Sequence, residues 1–89
     1  MDEDKLIIWF KRRRDKFESF LNHYTTQEEQ ENSCDFDDVY EFVNTVLLWS
    51  YEEAFEDEDY EDFEDELRNM LIDEYFDYLS PIYYEICGD

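Results

Sequence analysis

Residues 52–66 have the sequence EEAFEDEDYEDFEDE, in which eleven of the fifteen residues are carboxylates. A run of charge this dense is typical of a disordered segment. The other four residues are apolar or aromatic and recur at spacings compatible with a helix; they are Ala54, Phe55, Tyr60 and Phe63. The run also lies in the middle of a chain rich in aromatic residues. We therefore predict an ordered negative surface, which implies a positively charged binding partner.

The composition bounds the fold to one small helical domain. The chain has 89 residues, enough for a single domain over residues 1–89. Its formal net charge is −21, but 43% of its residues are hydrophobic and 20% aromatic, which disfavours disorder. Gly and Pro occur once each, so there is little turn chemistry for a sheet.

The charge and the apolar runs exclude several functions. Residues 1–16 carry a net charge of +2 and residues 17–89 a net charge of −23. A chain this negative is repelled by DNA, RNA and anionic lipid, so we expect no direct binding to nucleic acid or membrane. The apolar run at residues 6–10 is too short for a signal peptide or a membrane span, which predicts a cytoplasmic protein.

The periodicity of apolar residues predicts an all-α fold, a small three-helix bundle with a short fourth C-terminal helix. The first predicted segments are a helix over about residues 3–24, a loop over 25–34, and a helix from an N-cap at Asp35 to about Phe55. Either a break or a continuous joint near 56–58 leads to a helix over about 59–79. A last helix over 82–87 is entered through Ser80 and Pro81. Tyr40 and Tyr78 fall on the apolar stripes of the second and third helices. Three further aromatic residues fall off the main stripes, and their exposure suggests a partner surface or a homodimer; they are Phe42, Trp49 and Phe76.

Arg13 is the one basic residue that falls inside an apolar stripe, between Trp9 and Phe20. Two interpretations are open. Its aliphatic stem packs while its guanidinium reaches solvent, or it forms a half-buried ion pair with an inward carboxylate, for which Glu74 is the candidate. The rest of the basic segment at residues 11–16 is interpreted as charge compensation for acidic residues of another helix or protomer.

The sequence offers no active site, cofactor site or metal site. It lacks a Ser/His/Asp arrangement and a glycine loop for phosphate, and its single His and single Gly predict a protein that is not an enzyme. His23, Cys34 and Cys87 have no metal-ligand spacing. Two cysteines are also too few to indicate a disulfide framework.

A calcium loop is the alternative that the acidic run itself raises. Asp57, Asp59 and Glu61 match the first positions of such a loop, but the sixth position is Asp62 instead of Gly and the twelfth is Arg68 instead of Glu. A second alternative is a solvated acidic face of the kind found in proteins from high-salt cells. Such a face usually spreads its acids evenly, whereas this chain concentrates them.

With residues 51–66 (YEEAFEDEDYEDFEDE) and the later acids Asp73, Glu74 and Asp77, the chain resembles the small DNA-mimic proteins of phages and mobile elements. These include anti-restriction proteins, some anti-CRISPR proteins and inhibitors of other DNA-binding enzymes. The resemblance is one of composition and pattern over the C-terminal two thirds of the chain. It implies an inhibitor that blocks the positively charged DNA-binding groove of a host defence or DNA-processing protein, with a restriction enzyme or a CRISPR effector as the expected target.

The resemblance also implies a set of partner-binding residues. Carboxylates would supply affinity and nearby aromatic residues specificity; the set is Glu52, Glu53, Glu56, Asp57, Glu58, Asp59, Glu61, Asp62, Asp65 and Glu66, with Tyr51, Phe55 and Tyr60. The alternative function is an immunity protein or antitoxin that neutralises a basic nuclease toxin, because such a protein would carry the same charge.

Overall fold

The computed structural model describes residues 3–31 and 34–88, and within these ranges it contains four α-helices, one short 3₁₀ helix and no strand. The elements are α1 (Glu3–Lys11), α2 (Arg14–Glu31), α3 (Val39–Ala54), the 3₁₀ helix (Glu61–Phe63) and α4 (Glu64–Cys87). Helices α2, α3 and α4 pack against one another, so the prediction of a small all-α bundle is confirmed.

Ring contacts give the directions of the helices. Tyr24 lies against Trp49 and Phe17 against Phe55, so α3 runs antiparallel to α2. Tyr40 lies against Phe76, near the start of α3 and the second half of α4, so α4 reverses direction again. The core that these helices enclose is almost entirely hydrophobic. Its buried residues are Leu6, Phe10, Phe17, Leu21, Phe42, Val43, Val46, Leu47, Tyr51, Ala54, Phe55, Phe63, Leu67, Leu71 and Leu79.

The predicted first helix is divided in two. Its apolar stripe is buried as expected, but the helix is interrupted at residues 12–13 between α1 and α2. There the Arg13 amide donates to the Phe10 carbonyl at 2.8 Å, and the Arg13 guanidinium donates to the Trp9 carbonyl at 2.8 Å. The arginine thus satisfies a carbonyl that the end of α1 leaves without a helical partner.

The loop predicted over residues 25–34 is wrong in its described first part, since α2 continues to Glu31; residues 32 and 33 lie outside the described ranges. Thr25 and Glu28 extend the buried stripe of Phe17 and Leu21 by two further turns. The sequence TTQEEQE contains no hydrophobic residue, so hydrophobic periodicity gives no signal there. Its Gln and Glu residues nevertheless have high helix propensity.

Helix α3 begins later than predicted. Its N-cap is Asp38, whose carboxylate accepts a hydrogen bond from the Glu41 amide at 2.8 Å. The Glu41 carboxylate in turn accepts one from the amide of Asp37, the residue before the cap, at 3.0 Å, one position away from the partner of a capping box. The prediction of Asp35 as the cap is therefore wrong by three residues.

The separate fourth helix is also wrong, because α4 runs without interruption from Glu64 to Cys87. Pro81 lies inside α4 and removes one helical hydrogen bond, but its ring is on the exposed side. Half-buried Ile82 and Ile86 pack against the core beyond the proline. Burial of these two side chains favours continuation of the helix past Pro81.

A disulfide joins Cys34, ahead of α3, to Cys87, the last residue of α4, with their Cα atoms 5.0 Å apart. The two cysteines, too few in the sequence to indicate a disulfide framework, are therefore linked to each other. The partners lie 53 residues apart in the sequence, so their spacing gave no indication of the bond.

The aromatic residues that are exposed differ from those that the sequence predicted. Phe42 is fully buried between Phe36 and Tyr83, because the α4 extension covers it. Trp49 and Phe76 are half-buried. The most exposed aromatic rings are instead Tyr40, Tyr84 and Tyr78, at 61%, 56% and 46%.

Candidate partner-binding surface

The carboxylates of residues 52–66 occupy a corner between α3 and α4, which we call the acidic corner. Helix α3 ends at Ala54, a turn follows, and the chain passes through the 3₁₀ helix into α4 at Glu64. The run is therefore ordered but is not one continuous helix. Its carboxylates are presented in turn from the end of α3, the turn, the 3₁₀ helix and the start of α4.

The apolar residues of this run hold the corner against the bundle. Phe55 and Phe63 are buried, and each packs edge-on against Trp9 of α1, with ring centroids 4.9 Å and 5.1 Å apart. Tyr60 is half-buried against Tyr51 and Phe55. Anchoring at these positions leaves the intervening carboxylates on the outside.

Most of the predicted carboxylates are exposed. The exposed ones are Glu52, Glu53, Glu56, Asp57, Asp59, Glu61, Asp62, Asp65 and Glu66. Glu58 and Glu64 are half-buried. Asp65 accepts a hydrogen bond from Arg68 at 3.0 Å, and this pair is largely solvated. The acidic corner thus combines a negative surface of nine carboxylates with two inward carboxylates that have partners within the chain.

The prediction that aromatic side chains of this run contact a partner does not hold for two of the three residues. Tyr51 and Phe55 are fully buried, so their side chains contact the core and are not available to a partner. The Tyr51 hydroxyl donates to the Glu64 carboxylate at 2.6 Å. Burial, and then this carboxylate, raise the pKa of Tyr51 well above its ordinary value. Both residues belong to the core and support the acidic corner from the inside of the bundle.

Tyr60 is the aromatic residue of the predicted set that keeps part of its surface at the corner. Burial is the main cause that raises its pKa, and Glu52, Glu64 and Glu61 raise it further. These three carboxylates come from the end of α3, the 3₁₀ helix and the start of α4. The ring contact between Tyr60 and Tyr51, and the hydrogen bond from Tyr51 to Glu64, bring the end of α3 and the start of α4 together at this place.

Arg13 forms the half-buried ion pair that was one of the two interpretations of the sequence, but with Glu58 and not with Glu74. The two side chains are 26% and 32% exposed. The guanidinium also lies over the Trp9 ring, 4.3 Å from its centroid. Glu58 is therefore engaged within the fold, and the α1–α2 junction is joined directly to the acidic corner. Sequence periodicity placed Arg13 correctly, but nothing in it distinguished Glu58 from its acidic neighbours.

Four other basic side chains belong to residues 11–16. Lys11, Arg12 and Lys16 are exposed, and Arg14 is half-buried with its guanidinium near the Phe10 ring. The Arg14 Nε atom is buried without a hydrogen-bond partner. Charge compensation within the molecule is thus present at Arg13, through its ion pair with Glu58.

Within residues 3–31 and 34–88, no group of three His, Cys, Asp or Glu side chains is arranged to hold a metal ion. The three acids of the candidate calcium loop, Asp57, Asp59 and Glu61, are all exposed and do not converge. In the same described part of the chain, no helix has the length and hydrophobicity to cross a membrane.

Comparisons of the chain with protein-family models, with curated protein sequences and with solved structures find no match.

Proposed function

We propose that this protein is an acidic DNA mimic that binds the positively charged DNA-binding groove of another protein and excludes DNA from it. The observation that carries the proposal is the acidic corner, in which nine exposed carboxylates are held on an ordered scaffold. A fixed array of negative charges is what an Arg- and Lys-lined groove recognises in a phosphate backbone.

The overall charge density supports the same proposal. The molecule is 40 Å long and 19 by 17 Å across. Duplex DNA carries one negative charge per about 1.7 Å of its axis, so a 40 Å length carries roughly 24 charges. The chain has a formal net charge of −21. A groove that neutralises DNA over this length therefore meets a comparable charge on the protein.

The proposed targets are host restriction enzymes or CRISPR effectors, and the proposed site of action is the cytoplasm of the host cell. The nine exposed carboxylates would supply affinity and fast, salt-sensitive association. Of the predicted aromatic residues, only Tyr60 retains surface at the corner to add specificity.

The experiment that tests this function is capture of a partner from host lysate on the immobilised protein, followed by elution with duplex DNA. The corner variant combines Asp57→Asn, Asp59→Asn and Asp62→Asn, all at exposed positions. The matched control combines Glu29→Gln, Glu31→Gln and Glu85→Gln, which removes the same charge from exposed positions outside the corner.

We expect the wild type and the control to retain a DNA-binding protein that DNA releases at constant ionic strength, and the corner variant to lose it. Equal loss in both variants would mean that only total charge matters, and the acidic corner would not be the site. A partner that salt releases but DNA does not would support an immunity protein or antitoxin, and would refute DNA mimicry.

A further inference from the structure

A second surface lies away from the acidic corner, where the rings of Tyr40 in α3 and Phe76 in α4 meet. Their centroids are 5.4 Å apart with the planes tilted by 34°. Tyr40 is 61% exposed, so most of its ring faces solvent, while Phe76 is half-buried beneath it. Because packing against Phe76 holds the Tyr40 ring in place, a ligand would not have to order it.

Acidic residues lie close to both aromatic residues in the sequence. Asp37 and Asp73 each lie three residues before one of the two aromatic residues, and both are exposed. From residue 17 to residue 89 the only Lys or Arg is Arg68, and it lies next to the acidic corner, paired with Asp65. An exposed aromatic face is therefore accompanied by exposed carboxylates, in a part of the chain that contains a single Lys or Arg.

The molecule contains an internal example of what such a combination binds. The Arg13 guanidinium lies 4.3 Å from the centre of the Trp9 ring and is paired with the Glu58 carboxylate. Arginine suits this environment better than lysine, since its planar, weakly hydrated guanidinium stacks on aromatic rings and still donates to carboxylates. The surface at Tyr40 presents the same two chemical groups to the outside.

We propose that the Tyr40–Phe76 surface binds an arginine-bearing segment of a protein partner, with a guanidinium stacked on the Tyr40 ring between Asp37 and Asp73. This is a contact in addition to the acidic corner. Tyr40 precedes Glu52 by twelve residues of α3, which corresponds to about 18 Å along the helix axis. A partner that uses both surfaces would present two basic areas separated by about that distance.

The probes for the test are two short peptides of equal length and charge, one with arginines and one with lysines at the same positions. Their binding is followed by NMR titration of the isotope-labelled protein. We expect the arginine peptide to bind roughly two- to five-fold more tightly, the range for cation–π contacts at exposed sites, and to shift signals of Tyr40 and Phe76. Tyr40→Leu should abolish the difference between the peptides, whereas Tyr78→Leu, at another exposed tyrosine, should preserve it.

Equal binding of the two peptides, or a preference that survives Tyr40→Leu, would overturn the proposal. The triple corner variant separates this outcome from the proposed function. Loss of charge at the acidic corner should weaken the binding of both peptides equally and leave the ratio of their affinities unchanged. The preference for arginine is therefore tested independently of DNA mimicry.

Discussion

The Arg13 side chain joins the α1–α2 junction to the acidic corner through an ion pair with Glu58, a hydrogen bond to the Trp9 carbonyl and a stacked contact with the Trp9 ring. We expect Arg13→Ala to lower the free energy of unfolding by about 1–3 kcal/mol, because it leaves Glu58 half-buried without a partner. Arg12→Ala, at the exposed neighbouring position, should change it by less than about 0.5 kcal/mol. Urea denaturation of both variants measures the difference, and equal small effects would show that the Arg13 contacts contribute nothing to stability.

Glu28 is a buried carboxylate near the end of α2. Burial, and then Glu31 and Asp35, raise its pKa above the ordinary value of 4.5. The folded state therefore holds the Glu28 proton more tightly than the unfolded chain does. Its contribution to stability is complete below pH 4.5 and is lost as the pH rises through the higher folded pKa. At neutral pH, ionised Glu28 destabilises the fold.

Replacing this carboxylate by an amide should therefore stabilise the protein. We expect Glu28→Gln to raise Tm at pH 7 by a few degrees more than Glu29→Gln, since about 1 kcal/mol corresponds to roughly 4–8 °C in a domain of this size. Glu29 is exposed, so its replacement removes the same charge without the burial. The advantage of Glu28→Gln should disappear near pH 4. Thermal melts of the two variants at both pH values test this, and identical melting at pH 7 would contradict it.

At the scale of the elements, hydrophobic periodicity predicted the buried stripes but not the ends of the helices. Leu6, Phe10 and Phe17 are buried as their spacing indicates. The extension of α2 over TTQEEQE, and of α4 past Pro81, depends on tertiary packing that no local pattern contains. The exposed acids of the corner followed from charge alone. Which aromatic residues were exposed did not. Tyr40 falls on the predicted apolar stripe and is exposed, whereas Tyr51, predicted to contact a partner, is buried against Tyr60 and Glu64.

Helix α4 beyond Pro81 is the element that depends most on the Cys34–Cys87 disulfide. Reduction should lower the free energy of unfolding by about 2–4 kcal/mol, because the bond closes a long loop in the unfolded chain. It should also speed amide exchange after Pro81, where one helical hydrogen bond is missing. Disulfides are rare in the cytosol, where thiols are kept reduced. At the proposed cytoplasmic site of action, the protein would therefore meet conditions that favour reduction of this bond.

Hydrogen exchange and thermal melts with and without reductant measure both effects. Cys34→Ser should reproduce the reduced protein and be insensitive to reductant, which controls for other effects of the reagent. Unchanged melting of the wild type on complete reduction would show that the core alone fixes the end of α4.

At the scale of the whole molecule, the net charge of −21 on a body 40 Å long opposes the compact state. The charges that repel one another are mostly exposed, and the Debye length falls from about 30 Å at 0.01 M salt to about 8 Å at 0.15 M. We therefore expect Tm to rise steeply over this range of NaCl. If screening is the cause, tetramethylammonium chloride should raise Tm as much as NaCl does. If specific cation binding is the cause, NaCl should raise Tm more.

Calcium chloride at matched ionic strength should likewise add little, since the described acids form no metal site. Thermal melts in the three salts decide between these causes. A Tm that does not change between 0.01 M and about 0.15 M salt would mean that the carboxylates do not repel one another in the folded state, and the dense ordered array on which DNA mimicry depends would have to be abandoned. An equal rise of Tm in all three salts would instead show that the carboxylates repel one another in the folded state and that the fold is stable despite this repulsion. This is expected of a protein that presents its charge to a basic groove.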